Sequence, residues 1–239
     1  MSGVNESPDS PNFNKKIFFV VGLNEQVRRM IINKGHGVAL VRHAKHDAVV
    51  FTGGEDVTPF LYGEKCHPKT KFSYTRDLIE MNVYHSTPQH IPKIGICRGA
   101  QFLNVMNGGR LWQHVNNHAR PDGHRMKILG GDNRLIHVNS THHQMMIPAN
   151  SNTYTVLATA NEATERECQL YGKNDKKPDW DDVEVLHYWS THSLCYQPHP
   201  EYVTGENHDY FWDLVDQAFD WANPDAKAVS KVSKIERPF

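Results

Sequence analysis

Residues 93–109 read "KIGICRGAQFLNVMNGG", and the way this stretch bends decides the fold of the whole chain. "KIGI" is a short apolar strand that runs straight into Cys97, and a helix begins at once after it. A strand that reverses directly into a helix needs a sharp turn. Gly95 and Gly99 on either side of Cys97 remove the Cβ atoms that would clash there. The residue at the apex is lifted toward solvent at a helix N-terminus, whose unpaired N–H groups favour a thiolate. The competing reading is a small buried hydrophobe, since free cysteine is among the most buried residue types.

Outward from this elbow, the N-terminal half alternates strand and helix. "KKIFFVVG" (15–22) is a buried strand, and "NEQVRRMIINKG" (24–35) is a helix with Asn24 as cap and Gly35 as stop. "GVALVRHA" (37–44) and "DAVVFTGG" (47–54) are two more strands, the second apolar throughout as an interior parallel strand should be. "RDLIEMNVYHS" (76–86) is a helix carrying Leu78, Ile79, Met81 and Val83. This order predicts an α/β fold of flavodoxin-like type, a three-layer sandwich around a mainly parallel central sheet. Sites in such sheets lie at the carboxyl ends of strands, where both "FTGGED" and "GICRG" fall. The half after Gly109 is β-rich, with "RMKIL", "RLIHVNST", "TYTVLATA" and "VEVLHYWSTHSLCYQ", and a polar insertion lies before the last of these. "HDYFWDLVDQAFDW" closes the fold as an amphipathic helix. The expected domain is 16–222, between a polar tail at 1–15 and a second tail at 223–239.

Bulk properties narrow the function classes. The 239 residues hold 26 Lys plus Arg against 27 Asp plus Glu, a net charge of −1 that gives no field for nucleic acid or an anionic membrane. The longest apolar run, Ile17 to Val21, is a strand's length and not a membrane span, and the N-terminus has no signal-like apolar segment. Cys66, Cys97, Cys168 and Cys195 show no Cys-x-x-Cys pair, which fits free thiols in a reducing cytoplasm. The sixteen histidines show no metal-ligand spacing, and the expectation is no metal and no cofactor.

A thiolate that attacks a carbonyl needs a base and a group to hold the base. "YQPHPEY" supplies His199 and Glu201, two apart and so on one face of extended backbone, although His-Pro-Glu also suits a surface turn. The N–H groups of Arg98 and Gly54 are candidates for an oxyanion hole, although Gly53-Gly54 also suits a plain turn. Gln101, four residues past Cys97 on the same helical face, can reach the same pocket or simply be exposed.

Together "FTGGEDVTPFLYGE", "GICRGAQFLNVMNGGRLWQHV", "VNSTHHQ" and "QPHPE" resemble the class I glutamine amidotransferase-like superfamily, and within it the γ-glutamyl hydrolases of the peptidase C26 type. The stretches lie in the family's order from about Phe18 to Trp221. The resemblance implies Cys97 as nucleophile, His199 as base and acid, Glu201 as third member, and Gly54 and Arg98 N–H groups as oxyanion hole. It further implies that Gln101 and the backbone around Thr141, His142 and His143 grip the glutamyl end of the substrate. Arg after the cysteine and "VNSTHHQ" look like the free-standing hydrolases. Pro198 before His199, "NEATERE" in place of Asp-Gly-x-Val-Glu, and the insertion at 173–192 depart from the family on the leaving-group side. Three functions stay open: a hydrolase of γ-glutamyl amides acting through a glutamyl-thioester, a glutaminase component feeding ammonia to a separate synthase, and a binding module. The sequence leaves open the amine leaving group, a homodimer, and whether the acidic run Asp179 to Asp182 meets a cationic substrate or only solvent.

Overall fold

A computed structural model describes residues 14–116, 118–131, 133–149, 152–161, 167–170, 173–176 and 182–222. The second tail, most of the first, and the larger part of the acidic run lie outside the described residues. The elements in chain order are β1 (Ile17–Val20), α1 (Glu25–Asn33), β2 (Gly37–Ala39), β3 (Ala48–Phe51), α2 (Tyr74–Ser86), β4 (Lys93–Ile96) and α3 (Arg98–Met106). There follow β5 (Arg110–Trp112), β6 (Arg120–Ile128), β7 (Leu135–Ser140), β8 (Met145–Ile147), β9 (Tyr154–Ala160), β10 (Glu167–Leu170), β11 (Lys173–Lys176), β12 (Val183–Tyr188), β13 (Ser193–Tyr196) and α4 (Glu206–Ala222).

The main sheet runs β2-β1-β3-β4-β13-β12-β9-β6-β7, with β8 joined to β12 and β5 to β8. From β2 to β13 every pairing is parallel, and from β13 onward every pairing is antiparallel. The expected α/β sandwich is therefore present, its parallel part built from the alternating N-terminal half and one late strand. Strand alternation sorts the core into two layers. Phe18, Val50, Ile94, Ile96 and Leu194 pack against Val27 and Ile31 of α1 and Phe211, Trp212 and Val215 of α4. Val49, Phe51 and Cys195 face the other way, against Val83 of α2 and Phe102 and Leu103 of α3. All four residues of β3 are buried, as an interior strand requires.

Two sequence expectations change. The strand expected over 37–44 stops at Ala39, and Leu40 and Val41 lie exposed, because β2 is the sheet's edge and pairs only with β1. The span 173–192, read as an insertion outside the core, contributes β12, wholly buried in the main sheet between β13 and β9 and joined to β13 by a turn that places His192 in the left-handed region (φ 48°). The β10–β11 pair forms a separate two-stranded sheet, β10 preceding the polar insertion and β11 lying at its start. Among the described residues no helix is long and apolar enough to cross a membrane.

Candidate active site

β4 and β13 are parallel neighbours in register, Ile96 opposite Tyr196, so their carboxyl ends deliver the next residues of both chains to one place. From β4 comes Cys97, held at a positive φ (φ 52°, ψ −111°) that a non-glycine residue adopts only when its surroundings force it. The forcing is steric on both sides. A Cβ on Gly95 would lie 2.5 Å from the Gly99 carbonyl carbon, and one on Gly99 would lie 2.1 Å from the Phe51 carbonyl oxygen. The Cys97 N–H donates to the Tyr196 carbonyl (2.8 Å) and its carbonyl accepts from the Gln101 N–H (3.1 Å), which ties the apex to β13 and to the first turn of α3.

From β13 comes His199. Its Nδ1 lies 2.7 Å from Glu201 Oε1, both side chains nearly or wholly buried. The two meet across a single 3₁₀ turn, Pro200–Tyr202, rather than along extended backbone as their spacing suggested. Pro200 at the start of that turn supplies the fixed φ that sets it. The ring is further confined by Tyr202, stacked at 4.9 Å, and its main chain is clamped by Asn139, which donates to the His199 carbonyl and accepts from the His199 N–H, both at 2.9 Å. Burial disfavours the charged imidazole, but hydrogen bonding to Cys97 and Glu201 outweighs it and pushes the pKa up to about 10. Gly53 packs into the angle between the two residues. A Cβ there would sit 3.0 Å from His199 Cε1 and 3.7 Å from Cys97 Cβ.

The loop that bears Gly53 and Gly54 is gripped by charge. Arg76 Nη2 donates to the carbonyls of Thr52 and Gly53 (both 3.0 Å), while its other nitrogens pair with Glu80 and Glu55 (both 2.9 Å). Gly54 lies at φ +147°, and a Cβ on it would be 1.9 Å from Arg76 Nη1. Arg98 turns its side chain inward to pair with Asp77 and Glu80, all three nearly fully buried. Burial, then the like charge of Arg76, lowers the Arg98 pKa to about 10, which leaves it charged at neutral pH. Asp77 in turn accepts from the backbone N–H of Thr58 (2.9 Å) and from its hydroxyl. The inward face of α2 is thus Asp77, Glu80 and Val83, whereas Leu78 and Ile79, on which the helix was read, are exposed.

The structure thus brings Cys97, His199, Glu201, Gly54 and Arg98 together. Thr141 joins them through its side chain, Oγ1 lying 2.9 Å from His199 Nε2. Gln101 is buried, not exposed, and its amide nitrogen is committed to the Gln144 carbonyl and Gln197 Oε1 (both 3.2 Å). His143 is half-buried, 3.3 Å from Asp56 and beside His114. The His142 side chain is buried, bonded through Nδ1 to the Gln144 carbonyl and packed against the His118 ring. Sequence reasoning missed Arg76, Asp77, Glu80 and Asn139. The first three carry one signal, charges at helical spacing in an otherwise apolar segment. Asn139 acts on main chain 60 positions away, and no local pattern shows that.

The chain has recognisable relatives. The "Putative glutamine amidotransferase-like protein YvdE" of Lactococcus lactis is 43% identical over 74 residues, 29% of this chain and 30% of that protein. The chain therefore matches less than a third of that relative's length. Among solved structures, a glutamine amidotransferase of Thermotoga maritima aligns with a TM-score of 0.53 at 12% identity, over 90% of this chain and 92% of that one. A "putative gmp synthase subunit a protein" of Thermoplasma acidophilum aligns with a TM-score of 0.53 at 17% identity, over 87% and 94%. At these identities the two structures speak to the fold alone. The model of the Peptidase C26 family matches residues 32–166, more than half of the sequence, and the chain belongs to that family.

Proposed function

We propose that this protein hydrolyses a γ-glutamyl amide through a thioester on Cys97, releasing an amine and then glutamate. The observation that carries the reading is the strained Cys97 apex set against a buried His199–Glu201 pair, with a glycine at position 53 leaving room between them. The Cys97 sulfur attacks the amide carbonyl, and His199 hands a proton to the departing amine. His199 then takes a proton from water as the water opens the thioester. Glu201 holds the Nδ1–H and so presents Nε2 to the reaction.

The tetrahedral oxyanion falls to two N–H groups. That of Arg98 opens α3 and has no partner within its helix. That of Gly54 shares a trans peptide with the Gly53 carbonyl, so Arg76, by drawing the carbonyl one way, aims the N–H the other. Main chain at 141–143, with Gln101 behind it, forms the wall for the glutamyl end. A second reading, a glutaminase component feeding a synthase, draws support from the Thermoplasma neighbour, which is named as a synthase subunit. The free thiols of Cys66, Cys97 and Cys195 suit a reducing, cytoplasmic setting.

The test is glutamate release from glutamine and from a panel of γ-glutamyl amines by the purified protein alone. Release from a γ-glutamyl amine, abolished in a folded Cys97→Ala variant, is expected. Activity retained by that variant overturns the mechanism, and release from glutamine only when a synthase is added favours the second reading.

A further inference from the structure

Behind the wall of the candidate active site lies a second group of chemistry-bearing side chains that the proposed reaction does not use. His118 precedes β6, His124 lies on β6, Glu184 on β12, and His142 on the loop between β7 and β8. All four are buried, His118 and Glu184 completely. The His118 and His124 rings stand 4.8 Å apart, and the His118 and His142 rings 4.4 Å apart. Glu184 Oε1 lies 3.2 Å from His118 Nε2 and 3.1 Å from His124 Nε2.

Hydrogen bonding alone does not close this cluster. Two imidazoles converge on one carboxylate oxygen, while among the described residues Glu184 Oε2, His118 Nδ1, His124 Nδ1 and His142 Nε2 have no partner. A buried carboxylate costs several kcal/mol unless a cation compensates it, and a buried polar atom left unpaired costs about 1–3 kcal/mol. One divalent ion supplies that charge and gives the converging donor atoms a common partner.

The donor geometry points the same way. Nitrogen and oxygen ligands at 2.0–2.1 Å from a tetrahedral ion stand about 3.4 Å from one another. The Glu184–histidine separations are close to that value, and the three donor atoms all lie within 4.8 Å. Two imidazoles and one carboxylate form a donor set typical of zinc and related first-row ions. His142 adds the remaining feature. Its Nδ1 lies 2.8 Å from the Gln144 carbonyl, which fixes its ring against His118 and closes that side of the site.

We propose that His118, His124 and Glu184 bind one divalent transition-metal ion of the zinc class, with the His142 ring packed beside His118 outside the ligand set. The ion is structural. It fastens the loop at 140–144, which brings Thr141 to His199, onto β12, whose Glu184 carbonyl accepts from the Gln197 N–H at 2.9 Å. Ser140 already bonds the His118 carbonyl (2.8 Å), so the ion closes an existing tie. Two ligands come from one segment, but Glu184 lies 60 positions beyond His124, which is why no metal-ligand spacing is visible in the sequence.

The experiment uses the full chain, stripped with a chelator and titrated with Zn²⁺ and, separately, Co²⁺. One equivalent per chain is expected, with a rise in melting temperature and the visible absorption of four-coordinate cobalt without thiolate charge transfer. Stoichiometry should be unchanged in Cys97→Ala and fall to zero in His124→Gln and in Glu184→Gln. Because those variants can fail to fold, the cobalt spectrum of the unaltered protein decides independently. A thiolate charge-transfer band, no tight equivalent, or full binding by a folded His124→Gln variant each overturns the assignment.

Discussion

His199 is held from four directions: Glu201 on Nδ1, Thr141 on Nε2, Tyr202 on its face and Asn139 on its main chain. With its pKa near 10, it keeps its proton across the neutral range, so the alkaline limb of kcat/KM should fall near that pH rather than near 6.5. Glu201→Gln removes a charge that favours the imidazolium and should move the limb downward. An unmoved limb would mean that another group sets it. His199→Ala should cost more activity than Glu201→Ala, since only the histidine transfers protons. Thr141→Val deletes one hydrogen bond, worth about 0.5–1.5 kcal/mol, so its effect on kcat should stay within roughly tenfold. A larger loss would show that Thr141 touches substrate as well as the histidine. At this scale Cys97, His199 and Glu201 were legible because each lies in a short motif whose residue types have a chemical purpose. Asn139 and Thr141 share the stretch "VNSTHHQ", yet their partner lies beyond a different strand end, where no short motif can reveal it.

At the scale of the element, the elbow and α2 form one unit. Gly99→Ala would drive a methyl group into the Phe51 carbonyl at 2.1 Å, and neither main chain can retreat. This variant should fail to accumulate in soluble form, whereas Gly63→Ala, with nothing within 4 Å and only a φ of +75° against it, should remain soluble. Arg98→Met leaves Asp77 buried without its cation and Glu80 with Arg76 alone, a loss of about 3–5 kcal/mol by urea denaturation. Adding Asp77→Asn and Glu80→Gln should recover part of it, and no recovery would place the cost in packing rather than charge. The helix itself was legible, but of its inward face only Val83 was. Apolar periodicity nominates Leu78 and Ile79, while the pocket beneath α2 is filled by Arg98, which selects carboxylates instead.

For the whole molecule, two buried histidines tilt stability in opposite senses. His187 stacks on Trp221 at 4.3 Å, and burial, aided by His192, lowers its pKa to about 3. Between about 3 and 6.5 the unfolded chain therefore binds a proton that the native state refuses, and stability is lost as pH falls through that window. His199 binds its proton more tightly when folded, so its contribution is complete below 6.5 and is lost as pH rises toward about 10. Each group contributes up to about 1.4 kcal/mol per pH unit. The melting temperature should fall on both sides of about pH 6.5, and His187→Gln should lessen the acid-side fall, to which buried His142 also contributes, while leaving the alkaline side unchanged. The parallel half of the sheet was legible in the alternation of apolar strands and helices. The antiparallel half was not, because pairings such as β9 with both β12 and β6 depend on a bulge in β12 and on the register shift in β6 before His124, not on any single strand's composition.

The insertion of β13 between β4 and β12 also has a bearing on timing. Cys97 emerges from the ribosome long before the segment that carries its proton partner, and β4 waits with an open edge until that late strand arrives. Until then the thiol has neither histidine nor carboxylate beside it. Under the mechanism proposed above, the growing chain is therefore inert toward amides until the β12–β13 hairpin and the residues after it close the sheet.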